Sequence, residues 1–490
     1  MASSGGGQGG GSTTTSAAAK AVPGSYGLPL VGAVRDRLDF YYFQGQDKYF
    51  ESRIQRYGST VVRINVPPGP FMARDPRVVA VLDAKSFPVL FDMDKVEKKD
   101  LFTGTYMPST ALTGGYRVCS YLDPSEPTHA KVKQMLLSLL LSRKDHVVPA
   151  FRSNFGALLD AVDADVAKTG KADFNTLNDA TAFDFVGEAY FGVRPSATDL
   201  GTGGPNKAAK WLLWQLHPLV TLGLTPFIEE PLLHTFHLPP FLVKGDYKSL
   251  FAYFSAAAKQ AIDIGEGLGL SRDEACHNLL FASTFNSYGG LKVFFPSLLG
   301  SVGGAGQKLH ERLAAEIRGA VAEAGGEVTL AALEKMELAK SVVWEALRLD
   351  PPVKFQYGHA KKDLEIASHD AVFQVRKGEM LFGYQPCATK DARVFGATAG
   401  DFVPDRFLGN EGSKLLQYVY WSNGRETDSP SVHNKQCPGK NFVVLVGRLL
   451  LVELFLRYDT FTTEVGTELL GTSVNFTSVT KATSGPGSEL

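Results

Sequence analysis

The chain has 490 residues, 44% of them hydrophobic, with a formal net charge of -1. A large core is within reach, and near-neutrality gives no electrostatic case for nucleic acid as a partner. The four cysteines, Cys119, Cys276, Cys387 and Cys437, lie far apart with no Cys-x-x-Cys pairing, which argues against a zinc site or a disulfide framework and for a reducing compartment.

Residues 1–21 are Gly/Ser/Thr/Ala low complexity, a composition that cannot form a packed core. A disordered tail over 1–22 and a single domain over 23–490 are therefore expected. The tail is hydroxyl-rich and free of acids, as transit peptides are, but Lys20 is its only basic residue, so targeting is undecided from these residues. No N-terminal run reaches the ~18 apolar residues that a membrane span needs.

Pro23–Gly32 reads as an irregular lead-in, followed by an aromatic-rich helix near Leu38–Tyr57. Thr60–Val66 is β-branched and predicts a strand, Pro67–Pro70 a turn, and Phe71–Arg74 a returning strand. Pro76 then opens a helix carrying Val78, Val79 and Val81. Residues 95–120 lack periodicity and are rich in Gly, Thr and Pro, which predicts a long loop, more often functional than idle, with Phe102 in it. Pro127 starts a helix in which His129 and Lys133, spaced i and i+4, share one face. Basic groups at a helix start are disfavoured unless an anion is near; a solvated face is the plainer alternative.

Asp145–Thr169 and Asn178–Phe191 predict helices. Trp211–Val243 is strongly apolar but interrupted by Pro218, Pro226, Pro231, Pro239 and Pro240, so it is not one transmembrane helix. A substrate-access wall or a membrane-surface patch fits it, with plain core as the alternative. Ser271-Arg272-Asp273-Glu274 is a capping box that opens a long central helix reaching Asn286 and Gly289-Gly290. Phe442–Tyr458 is apolar enough for a buried helix. Cys437 stands at its N-terminal approach, where partial positive charge and unpaired N–H groups favour a thiolate.

Cys437-Pro438-Gly439 preceded by Asn423-Gly424, with Glu345-x-x-Arg348 upstream and Pro404-Asp405-Arg406-Phe407 between, resembles the proximal loop of the cytochrome P-450 superfamily. That resemblance implies a mainly α fold with a small β-rich lobe, haem b as cofactor and Cys437 as the axial thiolate ligand of its iron. It also implies a buried ion network of Glu345, Arg348 and Arg406, and haem propionates bound by Lys98, His129 and Lys133.

Oxygen-using members of the superfamily carry an acid and a threonine in the central helix. Here Phe285-Asn286-Ser287-Tyr288-Gly289-Gly290 has no such pair and offers Asn286, which hydrogen-bonds without shuttling protons. Together with the long loop from Gly424 to Cys437, Pro351-Pro352-Val353, Gln356-Tyr357-Gly358 and Asn434-Lys435-Gln436-Cys437-Pro438-Gly439-Lys440, this narrows the resemblance to the plant fatty-acid hydroperoxide-metabolising branch, most closely the allene oxide synthase family.

The narrower resemblance implies a hydro-lyase that turns 13- or 9-hydroperoxides of C18 fatty acids into allene oxide and water in oxylipin and jasmonate biosynthesis. It implies no dioxygen, no NADPH reductase and a plastid location, with a cytoplasmic one as the alternative. Peripheral contact with a membrane is compatible with it; a transmembrane helix is not expected. Asn286 would hydrogen-bond the hydroperoxide, Phe102 would select the product, and Lys292 and Ser120 would contact substrate. Hydroperoxide lyase and divinyl ether synthase share the scaffold and are separated by their products. A reductase-dependent monooxygenase and a non-catalytic haem or lipid-binding protein are the rival readings.

Overall fold

A computed structural model of the chain describes residues 18–73 and 75–483. Most of it is helical, and the helix Lys440–Arg457 shows how the body is built. Its run of Val, Leu and Phe has no polar stripe, so it is stable only with neighbours on every side. The helices Lys144–Thr169, Gln307–Glu323 and Glu337–Leu349 pack around it. Its three buried charges are paired: Lys440 donates to Glu426 O at 2.6 Å and pairs with the Glu426 carboxylate, Arg448 donates to Leu333 O and to Glu334, both at 2.9 Å, and Glu453 accepts from Arg152 at 2.9 Å. Left alone, a buried charge costs about 3–5 kcal/mol.

An aromatic cluster ties three further helical faces together. Phe151 and Phe155 stack with ring centres 4.2 Å apart, while Phe185 meets Phe151 at 5.1 Å and Phe295 meets Phe155 at 5.4 Å, both edge-on. Phe295 belongs to the central helix, which runs through Arg272–Leu280, a π-helical stretch Phe281–Tyr288, and Gly289–Ala305. The Ser271 hydroxyl accepts from the Glu274 N–H at 3.1 Å, so the predicted cap forms. The π-helical stretch is the unpredicted part; such widened turns concentrate at functional sites.

The β-rich lobe holds a mixed five-stranded sheet in the order Val61–Asn65, Arg77–Val81, Met380–Tyr384, Phe355–Ala360 and Val96–Glu97. This corrects the helix expected from Pro76. Arg77–Val81 is a strand, antiparallel to the first with Val61 opposite Val81, and parallel to the third with Val79 opposite Leu381. Val78, Ala80 and Val79, Val81 are buried on opposite faces, which erases the alternation that marks a strand, while the β-branched run favours one. The return expected at Phe71–Arg74 does not form either: Phe71–Ala73 is turn, and Arg74 lies outside the described residues.

Two other expectations shift. Lys20 and Ala21, assigned to the tail, pair in parallel with Phe373 and Gln374; residues 1–17 lie outside the described residues. The helix expected near Leu38–Tyr57 is two pieces, π-helical Asp39–Phe43 and α-helical Gln46–Tyr57, separated at Gly45, whose φ of 81° no other residue type adopts readily. Trp211–Val243 divides at its prolines into short turns: Trp211, Leu233 and Val243 are core, whereas Phe227, Phe236 and Phe241 are exposed. Among the described residues no helix is long and apolar enough to cross a membrane.

Candidate haem site

The loop Trp421–Gly439 has little regular structure, so side chains must satisfy its backbone. Three glutamine amides do so. Gln356 donates to Trp421 O at 3.0 Å and accepts from the Asn423 N–H at 3.1 Å; Gln385 donates to Tyr420 O at 2.7 Å; Gln436 donates to Arg425 O at 2.6 Å. A Cβ on Gly424 would stand 2.6 Å from Gln436 Cδ, so the loop closes only with glycine there. The Cys437 N–H donates to Ser422 O at 3.1 Å, which sets the cysteine just ahead of the Lys440–Arg457 helix. Burial pushes the Cys437 thiol above its ordinary value, against the opposing pull of the Gly439 N–H and the Lys133 charge. The helix start thus favours the thiolate without producing it; coordination to a metal ion deprotonates a thiol outright.

Behind the loop, Glu345, Arg348 and Arg406 meet. Arg348 forks onto both Glu345 oxygens at 2.7 and 2.8 Å, and Arg406 Nε donates to Glu345 Oε1 at 2.8 Å. Arg348 also donates to Thr389 O and Ala399 O, and Arg406 to Thr398 O, so the network pins the segment ahead of the loop. Glu345 and Arg348 are wholly buried, which makes every one of these bonds count.

On the other side lies a concentration of buried positive groups. Lys98, His129, Lys133 and Lys435 are all close to Cys119–Asp123 or to the Asn434–Cys437 segment. Lys435 donates to Cys119 O at 2.8 Å, to Ser120 O at 3.1 Å and to Leu122 O; Lys133 donates to Asn434 O at 3.1 Å and to Gln436 O. Lys98 Nζ and both ring nitrogens of His129 have no hydrogen-bond partner among the described residues. Burial, reinforced by the Lys435 charge, brings Lys98 down to about 7 and His129 to about 4; burial brings Lys435 to about 8. Lys435 is the member that the sequence reading did not single out. Its position two before Cys437 was visible, but its burial was not.

Asn286 sits on the π-helical stretch of the central helix and is exposed, next to Phe285. Phe285 stacks on Phe281 at 4.8 Å and meets Phe102 at 5.6 Å; Phe102 in turn meets Tyr121 edge-on at 5.7 Å. Phe102 therefore belongs to an aromatic wall with Phe281, Phe285 and Tyr121, and Asn286 follows Phe285 in the chain. Ser120 joins this wall to the basic cluster, since it lies beside Tyr121 and gives its carbonyl to Lys435. Lys292, expected to contact substrate, has its ammonium bonded to Asp179 on the Phe174–Phe191 helix, so a substrate there would share that ion pair.

Residues 271–472 match the cytochrome P450 family model. The chain is 77% identical to allene oxide synthase 2 of Oryza sativa subsp. japonica, over 93% of this chain and 96% of that protein. It is 57% identical to a chloroplastic allene oxide synthase 2 of Solanum lycopersicum (94% and 91% covered) and 56% identical to a chloroplastic allene oxide synthase of Arabidopsis thaliana (94% and 89%). The chain belongs to the allene oxide synthase family of cytochrome P450s.

A cytochrome P450 implies haem, and the side chains of this allene oxide synthase family member fit one. The buried Lys98 ammonium and the two His129 ring nitrogens lack partners that an anion beside them would supply, and haem carries two carboxylates. Cys437, pinned by backbone bonds at a helix start, provides a soft ligand.

Proposed function

We propose that this chain dehydrates hydroperoxides of polyunsaturated C18 fatty acids to allene oxides and water, as a hydro-lyase that needs neither dioxygen nor a reductase. One observation carries the reading: an uncharged amide, Asn286, adjoins an aromatic wall at Phe102 on a stretch, Phe281–Tyr288, that contains no acid. Haem b, held by Cys437, supplies cleavage of the substrate O–O bond when bound. The substrate arrives already oxidised, and loss of the elements of water balances the reaction with no added electrons.

The chain's own residues then divide the remaining work. Lys98, His129, Lys133 and Lys435 would neutralise the propionates and exclude water from that edge. Asn286 orients the hydroperoxide through its amide, donating to one oxygen or accepting from the terminal hydroxyl, and cannot itself move a proton. The π face of Phe102 would stabilise electron-poor carbon beside it and so favour oxidation and proton loss over chain cleavage. The chloroplastic names of the tomato and Arabidopsis relatives support a plastid location.

Exposed apolar side chains support peripheral contact with a lipid surface. Leu28, Leu30, Val31 and Phe43 from the N-terminal region and Phe227, Phe236 and Phe241 from the proline-rich stretch are all exposed, Phe227 by 93%. The two regions are fastened together: Arg37 pairs with Glu230 at 2.6 Å and donates to His234 O at 2.9 Å, and Tyr41 stacks on His234 at 4.1 Å. Large exposed apolar patches mark interaction or membrane surfaces.

The test is turnover of 13-hydroperoxy-octadecatrienoic acid by the purified protein without NADPH, with products identified by mass. Ketols and cyclopentenones are expected. Short aldehydes as the main product, or activity only with NADPH and a reductase, would overturn the reading.

A further inference from the structure

A cavity of about 270 Å³ lies apart from the site described above, between the Phe87–Phe91 turn and the Tyr420–Arg425 end of the cysteine loop. Pro88, Tyr418 and Tyr420 give it an apolar wall, and Lys85, His369 and Arg425 contribute charged and polar groups. Tyr420 is fixed by a stack on Phe87 at 5.0 Å and by its hydroxyl donating to Ala84 O at 3.1 Å, so the wall is preformed.

Carboxylates and cations both stand beside this cavity, and they differ in how they are bonded. Asp83 accepts the N–H groups of Lys85 and Ser86 at 2.9 and 2.7 Å and the Thr60 hydroxyl. Asp391 accepts the N–H groups of Ala84 and Arg393, both at 2.9 Å, and pairs with His369 Nε2 at 2.7 Å. Both carboxylates are thus held by hydrogen bonds from the fold. Asp428 is engaged by the Arg425 backbone N–H at 2.9 Å. The side chains of Lys85 and Arg425, by contrast, have no ion pair or hydrogen bond among the described residues. Two cationic side chains with donors to spare thus line a preformed aromatic and proline surface.

We propose that this cavity binds a small amphiphilic carboxylate, with its carboxylate between Lys85 and Arg425 and its apolar body against Pro88 and Tyr418. A bare inorganic anion would use the cations but leave the wall unfilled, whereas a ring or short chain uses both. The cavity borders the haem loop, because the same Arg425 accepts through its carbonyl from Gln436, the residue before Cys437.

Calorimetric titration of the full-length, haem-loaded protein with phenylacetate and with inorganic phosphate tests this. Phenylacetate should saturate, and phosphate should bind at least tenfold more weakly. The double variant Lys85→Gln/Arg425→Gln should lose at least tenfold in phenylacetate affinity. Gln417→Trp, which fills the cavity from its rim and leaves both cations in place, should do the same. Affinity within twofold of the native protein in both variants would place phenylacetate elsewhere, such as the fatty-acid chamber, and overturn the proposal. So would phosphate binding as tightly as phenylacetate, or no saturable binding to the native protein.

Discussion

Phe102 meets Phe285 with ring centres 5.6 Å apart and planes at 63°, one residue ahead of Asn286. The contact joins the long loop, which carries the proposed product-selecting ring, to the π-helical stretch, which carries the proposed hydroperoxide ligand. Replacing Phe102 by Leu keeps the apolar bulk and removes the π face. A cation–π term of about 0.5–1 kcal/mol translates into a roughly two- to fivefold change in partition between dehydration and chain cleavage. The ratio of ketols to aldehydes measures it, and an unchanged ratio removes Phe102 from product selection.

Asn286→Ala should lower kcat/KM by about 2- to 13-fold, the cost of losing a neutral hydrogen bond of roughly 0.5–1.5 kcal/mol. Its haem spectrum should stay native, since Asn286 has no part in the Cys437 loop. Asn286→Gln, which keeps the amide but displaces it, should recover part of the loss. Full activity in the alanine variant would leave the hydroperoxide to be oriented by something else.

Glu345→Gln should destabilise the fold by about 3–5 kcal/mol, because it strands the wholly buried Arg348 without its counter-charge. Two carbonyl partners, Thr389 O and Ala399 O, remain and keep the guanidinium in place. The midpoint of urea unfolding reports the loss, and haem release should accompany it, because the same network holds the segment leading to the Cys437 loop. A midpoint equal to that of the native protein would reduce the network to a local contact.

The sequence made some of this legible and hid the rest for identifiable reasons. Cys437, Glu345, Arg348 and Arg406 could be read because their spacing and punctuation are local, and the central helix because its Ser271 cap is local too. The strand Arg77–Val81 was misread since burial on both faces removes the period on which a strand is recognised. Lys292 pairs with Asp179, which lies far off in the chain, so no window of sequence could show that its charge was spoken for. Lys435 and the bracket of Gln356, Gln385 and Gln436 were hidden in the same way: a polar residue in a loop looks solvated until the fold closes over it.

The exposed phenylalanines make a prediction about partition rather than catalysis. Phe227→Ser combined with Phe241→Ser should reduce co-sedimentation of the protein with phosphatidylcholine vesicles several-fold. Thermal stability should hardly change, since exposed substitutions away from special features alter stability by about 0.5 kcal/mol or less. Equal sedimentation of variant and native protein would mean that this face does not meet lipid.

Lys98 is only 4% exposed, and its ammonium has no partner among the described residues. Burial first, and the neighbouring Lys435 second, hold its pKa at about 7, while a lysine in the unfolded chain titrates near ~10.4. Between these values the unfolded state binds more protons, so the haem-free protein should gain stability as pH rises from about 7 toward 10, and the penalty should be complete below about 7. Lys98→Met should raise the stability of the haem-free protein at pH 7 and reduce this slope. Some slope should persist, because Lys435 still titrates near 8. The same variant should retain haem less well through gel filtration, since an anion-binding group is gone. Urea midpoints at pH 7 and 9 decide the matter: if native and variant proteins show the same pH dependence, Lys98 carries no stored charge penalty, and the buried cluster is not poised for an anion.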